Sequence, residues 1–216
     1  MLPNLYNSDT GDLGGVSETD YFIIGMSKCG TSTLYHSLQT INSAVIKYHS
    51  DYTLTRVFGD VGITTKQIIN TRKNIDRPFY VFTPYRNPID RKVSQYYQYI
   101  VQNDSVLGIR KSDEVIIEEI KQFILGSYSC FHLHNPGFLT EVDENLVYKN
   151  IFDSIEINMF DYNFDKDRGF IQIVKDNLIF IPYTLLKIDS LAQFIRETID
   201  PDFELILKRI TGKNSQ

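Results

Sequence analysis

The chain has 216 residues, 42% of them apolar and 23% charged, which suits one ordinary folded domain with a sizeable core. Its net charge of −5 argues against non-specific attraction to nucleic acid or to an anionic membrane, and against a heavily sulfated polyanion as substrate unless a basic groove overrides the average. The two cysteines, Cys29 and Cys130, form no disulfide framework and suit a reducing compartment.

Residues 1–19 are rich in Gly, Ser, Asp and Asn and read as a flexible lead-in to a single domain over residues 20–216. The start shows neither a basic n-region nor an apolar h-region, and no later run reaches the roughly twenty apolar residues that span a bilayer, so a soluble, cytoplasmic protein is expected. Tyr21 to Ile24 is a β-branched and aromatic run, as in a strand buried on both faces. Gly25 and Gly30 bracket a turn, and a helix is expected from Thr31 to about Gln39. A second strand follows over Ala44 to Tyr48, then a helix near Thr65 to Lys73, a third strand over Phe79 to Tyr85 and a helix after Pro88. Pro84 is awkward inside a sheet and is tolerable if the ladder has already ended there. Lys111 to Leu125 has apolar residues at helical spacing, whereas residues 126–170 show no clear element. LIFIPYTLLKIDSLAQFI, from Leu178 to Ile195, reads as a late strand running into a helix capped by Asp189 or Ser190. Alternating strands and helices predict an α/β fold with a central parallel sheet flanked by helices.

Two stretches carry chemistry. In the first, GMSKCGTST from Gly25 to Thr33, a glycine turn opens onto a helix whose leading N–H groups suit phosphate. The spacing is close to the ATP and GTP loop G-x-x-x-x-G-K-S/T, but Thr31 follows the second glycine and the lysine, Lys28, lies inside the loop. A γ-phosphate and its metal are poorly provided for. The second stretch sets Arg86, Asn87, Pro88, Arg91, Ser94 and Tyr96 in the pattern R-N-P-x-x-R-x-x-S-x-Y. Arg86 falls at a strand exit, Pro88 in the first helical turn and Ser94 two turns on, so a guanidinium fork and a hydroxyl are available to one phosphate. Taken singly, the first is often a tight turn and the second a solvated helix start; together they suggest a nucleotide phosphorylated at two places.

This pair resembles the signature of sulfotransferases that use 3′-phosphoadenosine 5′-phosphosulfate (PAPS), and is most similar to the carbohydrate and capsular-polysaccharide branch. The clear resemblance covers roughly residues 20 to 100. It implies a P-loop-like three-layer domain in which Lys28, Cys29, Gly30, Thr31, Ser32 and Thr33 hold the 5′-phosphosulfate, while Arg86 and Ser94 hold the 3′-phosphate. Two positions depart from the common P-K-x-G-T-T loop: Ser27 stands where proline is common and Cys29 where a small residue is usual.

Sulfuryl transfer requires a base for the acceptor hydroxyl and a positive group near the departing phosphate oxygen. Lys28 suits the second task. His49, expected at the carboxyl end of the second strand, suits the first, with Asp51 in reserve. His132 and His134, in a polar loop, are candidates for contacting the acceptor; no persuasive third ligand turns them into a metal site, and no metal is expected. Lys208, Arg209 and Lys213 resemble, loosely, a basic C-terminal segment that closes over the nucleotide. The implied activity is transfer of a sulfuryl group to a hydroxyl of a glycan or small acceptor, with no nucleic-acid or membrane partner. Two rivals remain: a nucleotide kinase, disfavoured by the absence of a lysine after Gly30, and a nucleotide-binding module without catalysis.

Overall fold

The computed structural model describes residues 18–26, 29–49, 61–97, 108–125 and 144–207. Along the chain these form β1 (Tyr21–Gly25), α1 (Thr31–Leu38), β2 (Val45–His49), α2 (Val61–Arg72), β3 (Phe79–Tyr85), α3 (Pro88–Tyr96), α4 (Asp113–Ile124), α5 (Glu144–Ile155), β4 (Ile173–Lys175), β5 (Leu178–Thr184) and α6 (Ile188–Thr198). The chain gathers into two compact units, one over Arg86–Leu146 and the other from the segments on either side of it.

The first unit is an α/β fold around a five-stranded sheet of order β2-β1-β3-β5-β4. β2, β1, β3 and β5 run parallel, and β4 lies antiparallel at one edge. Phe22, Phe79, Val81 and Phe180 project to one face, where Phe152 of α5 meets Phe180 edge-on at 5.9 Å and Arg72 of α2 lies 5.5 Å from the Phe79 ring. Ile23, Phe82, Ile181 and Tyr183 project to the other and share one buried cluster with Leu34 and Leu38 of α1 and Leu191 and Ile195 of α6. Helices therefore cover both faces, as near-continuous apolar strands demand.

One buried ion pair anchors the amino end of this sheet. Arg72 is fully buried and donates to Asp20 Oδ1 at 2.7 Å, and Arg77 Nε reaches the same oxygen at 2.8 Å. The Asp20 carbonyl also accepts the N–H of Tyr80 at 2.7 Å, so one residue ties α2, the α2–β3 turn and β3 together.

Three sequence expectations need correction. Pro84 does not lie beyond the ladder: pairing between β1 and β3 is confined to Tyr21–Ile23 against Tyr80–Phe82, yet β3 and β5 remain in register at Pro84↔Tyr183 and Tyr85↔Thr184. The proline sits where the ladder has ended on its β1 side only. The α6 cap is neither Asp189 nor Ser190, which fall inside the helix; a 3₁₀ turn over Leu185–Lys187 precedes it, and Thr184 accepts from Leu186 N there. Helix α5 lies within the stretch that showed no clear element.

In the second unit, α3 packs on α4. Tyr96 donates to Glu119, Lys111 reaches the same carboxylate at 2.8 Å, and Lys92 donates to the Ile124 carbonyl at 3.0 Å. The Tyr96 and Phe123 rings lie 6.1 Å apart.

Candidate functional site

Strand order decides where a ligand can enter. From β1 the chain steps through α1 to β2 on one side, then crosses back through α2 to β3 on the other side of β1. In open α/β sheets such a reversal leaves a crevice at the carboxyl ends of the strands, here between the exits of β1 and β3. Those exits carry the two sequence motifs: the glycine turn follows β1, and Arg86 follows Tyr85, the last residue of β3.

The turn after β1 is shaped by close approaches that exclude side chains. A β-carbon on Gly25 would meet Pro84 Cδ at 2.8 Å. Gly30 has φ +90°, a left-handed conformation that disfavours other residues, and its missing β-carbon would lie 2.5 Å from Leu185 Cδ1. Gly30 is the N-cap of α1, no side chain caps the helix, and the first helical bond runs from Leu34 N to Gly30 O at 3.2 Å. As a glycine, the N-cap residue offers no side chain of its own to the leading amides of α1, and a helix start of this kind suits an anion.

Around that helix start, Thr31 is buried, Thr33 partly buried and Ser32 exposed. Cys29 is fully buried, with Sγ 3.9 Å from the Tyr148 hydroxyl, so its thiol faces the protein rather than solvent. Tyr148 in turn donates to the Pro84 carbonyl at 2.9 Å and stacks on Tyr85 at 4.4 Å. Lys47 of β2, absent from the sequence-based candidates, donates to Ser32 Oγ at 3.2 Å and lies 4.8 Å from the Tyr35 ring. It supplies a cation to the first turn of α1. The signal that could have found it is strand period: Lys47 is the one charged residue on a strand expected to neighbour β1.

His49 ends β2 and pairs in register with Gly25, the residue from which the glycine turn departs. Its backbone therefore stands at the expected strand end. Lys28, Asp51, His132, His134, Lys208, Arg209 and Lys213 lie outside the described residues.

The second motif divides into scaffold and accessible positions. Asn87 caps α3 by accepting from Ile89 N at 2.9 Å and Asp90 N at 3.4 Å, and Pro88 occupies the first turn. Arg91 and Tyr96 are buried. Arg86 and Ser94 remain partly exposed, so these two keep surface for a ligand. They belong to the second unit, whereas the glycine turn, α1 and His49 belong to the first.

Burial keeps the phenols of this region protonated. Burial pushes Tyr85 far above the ordinary tyrosine range, and burial, with a lesser electrostatic contribution from Cys29, does the same for Tyr183. Among the described residues, no cluster of three His, Cys, Asp or Glu side chains could hold a metal ion, and no helix is long and apolar enough to cross a membrane. Comparison with family models, with curated proteins and with solved structures finds no match to this chain.

Proposed function

We propose that this chain is a PAPS-dependent sulfotransferase with a P-loop-like three-layer domain, which moves a sulfuryl group from the nucleotide to a hydroxyl of a glycan or small acceptor. The observation that carries this reading is the order of elements: β1, glycine turn and α1 with a glycine N-cap on one side of a strand-order reversal, with Arg86 directly after β3 in the chain. A glycine turn before a helix start that suits phosphate, but has Thr31 in place of the lysine that follows the second glycine in ATP and GTP loops, suits a donor that transfers sulfate rather than a γ-phosphate.

In this reading each residue has one task. The leading amides of α1 with Thr31, Ser32 and Thr33 bind the 5′-phosphate end, and Arg86 and Ser94 bind the 3′-phosphate. His49 accepts the proton of the acceptor hydroxyl as that oxygen bonds to sulfur. Lys28 stabilises the bridging oxygen as its bond to sulfur breaks, and adenosine 3′,5′-bisphosphate leaves. Positioning and electrostatics supply most of the rate.

Thermal denaturation with a panel of nucleotides tests the reading, since a ligand that binds only the native state raises its melting temperature. Adenosine 3′,5′-bisphosphate is expected to stabilise the protein without added metal, and ATP with magnesium to have little effect. Labelled PAPS offered with mono- and polysaccharides should then yield labelled acceptor. Equal stabilisation by 3′-phosphorylated and unphosphorylated nucleotides would sink the assignment.

A further inference from the structure

Tyr148 stands on α5, outside both sequence motifs, yet its hydroxyl meets residues from the exits of β1 and β3. It donates to the Pro84 carbonyl at 2.9 Å and lies 3.9 Å from Cys29 Sγ. Cys29 directly precedes Gly30, the N-cap of α1, and Pro84 is the penultimate residue of β3. A phenol has one proton to give, so with that proton on the carbonyl its oxygen serves as acceptor for the Cys29 S–H. The bonds run in one direction, from thiol to phenol to carbonyl.

The phenol itself is held in place by its ring. Tyr148 stacks on Tyr85 at 4.4 Å with 22° between the planes, and Phe152, one helical turn later, stacks on the same ring at 6.3 Å. Phe152 in turn meets Phe180 of the sheet edge-on at 5.9 Å, so the hydroxyl is anchored to the core. Elsewhere the described part of the turn is shaped by steric closeness alone: Gly25 lies against Pro84 and Gly30 against Leu185. Those approaches exclude side chains, whereas the contact at Cys29 is directional. We propose that Tyr148 is a positioning residue of the donor site, its hydroxyl tethering Cys29 to the end of β3 and so holding the glycine turn in the shape that receives the nucleotide. Resting on the proposed reading of that turn, Tyr148 touches no reacting atom and acts only through Cys29 and Pro84. Without the tether the turn spends a fraction of its time in the receptive shape, and apparent affinity falls by that fraction.

The test compares wild type with Tyr148→Phe, which keeps the ring and removes only the hydroxyl, with Cys29→Ala, and with the double variant. Each is titrated calorimetrically with adenosine 3′,5′-bisphosphate and with pyrophosphate, and the rate at which iodoacetamide labels Cys29 in the native protein is followed by peptide mass. Each single variant is expected to lose affinity by about three- to tenfold, the scale of a neutral hydrogen bond. The double variant should lose no more than the weaker-binding single one, because both changes remove the same tether. Tyr148→Phe should also speed labelling of Cys29, since a buried thiol reacts only when its surroundings open. A hydroxyl that serves stability alone would lower the melting temperature of Tyr148→Phe and leave affinity and labelling unchanged. That result, or additive losses in the double variant, overturns the assignment. Should Tyr148→Phe fold poorly, Cys29→Ala decides, and unchanged affinity there overturns it equally. If wild type binds pyrophosphate but shows no preference for the 3′-phosphorylated nucleotide, the sulfotransferase reading fails, while non-additive losses on pyrophosphate still support Tyr148. If wild type binds neither, both fail.

Discussion

Gly25 lies so close to Pro84 that a β-carbon on the glycine would sit 2.8 Å from the proline Cδ and 3.0 Å from its Cγ. Gly25 ends β1 and Pro84 is the penultimate residue of the neighbouring β3, and the glycine turn departs from the first of them. Gly25→Ala should cost about 1–3 kcal/mol, the usual penalty for overpacking a closed site. Combining it with Pro84→Ala should recover most of that loss, because the clashing ring is gone. Thermal or urea denaturation of the two single variants and the double variant measures the coupling. Additive losses would show that the glycine is required for another reason.

The pair Arg72–Asp20 predicts an asymmetry. Arg72 is fully buried, while the Asp20 side chain keeps 22% of its surface in contact with solvent and also binds Arg77. Asp20→Asn leaves a buried guanidinium without its carboxylate and should cost about 3 kcal/mol, the low end for breaking a buried pair. Arg72→Met fills similar volume and leaves Asp20 paired with Arg77, so it should cost less. Urea midpoints of the two variants in the reverse order would refute this account.

Raised phenol pKa values predict alkaline instability. Tyr21 is pushed up to about 12, chiefly by burial and then by Tyr80 and Asp20, and burial raises Tyr80, Tyr85 and Tyr183 as well. In the unfolded chain these groups ionise near 10. Because the folded protein holds the protons more tightly, the stabilisation is complete below about pH 10 and is lost as the pH rises through about 12. Denaturation midpoints should fall across that window, together with a delayed, cooperative rise in phenolate absorbance. Phenolate absorbance that saturates near pH 10 with the fold intact would contradict it.

Two variants separate binding from catalysis in the proposed reaction. Arg86→Ala should lower affinity for adenosine 3′,5′-bisphosphate by at least about tenfold and erase the preference for a 3′-phosphate, since a charge-assisted bond is worth about 1.5–3 kcal/mol. His49→Ala should leave nucleotide affinity nearly unchanged and reduce sulfuryl transfer about 10²–10⁴-fold. Calorimetry and turnover on the same preparations check both. If His49→Ala keeps more than about half of its turnover, Asp51 becomes the residue to replace.

The central strands were legible because they combine long apolar runs with glycine or proline punctuation. β3 matches its expected span, Phe79 to Tyr85, and the expected β2 is displaced by one residue. Helix α5 was hidden because its inward residues, Tyr148, Ile151, Phe152 and Ile155, are interleaved with Lys149, Asn150, Asp153 and Ser154 next to a stretch rich in turn residues. Tyr148 escaped the site reading for a related reason. A tyrosine in an apolar segment looks like core, and only tertiary contacts distinguish a hydroxyl with an acceptor from one without. Lys47 was overlooked because its neighbour Ser32 becomes a neighbour only when β1 and β2 pair.

β3 and β5 are partners in the sheet, but the whole stretch from Arg86 to Asn177 intervenes between them. β1, β2 and β3 leave the ribosome together and can pair early, whereas β5 must wait for that stretch and then close a long loop at an entropic cost that grows with the logarithm of its length. Leu185, which packs against Gly30 at the start of α1, directly follows that last strand. A nascent chain that has emerged only as far as β4 carries the complete glycine turn in its sequence but lacks the contact that Leu185 makes with Gly30, so the surroundings of that turn are completed only once β5 and the residue after it have been made.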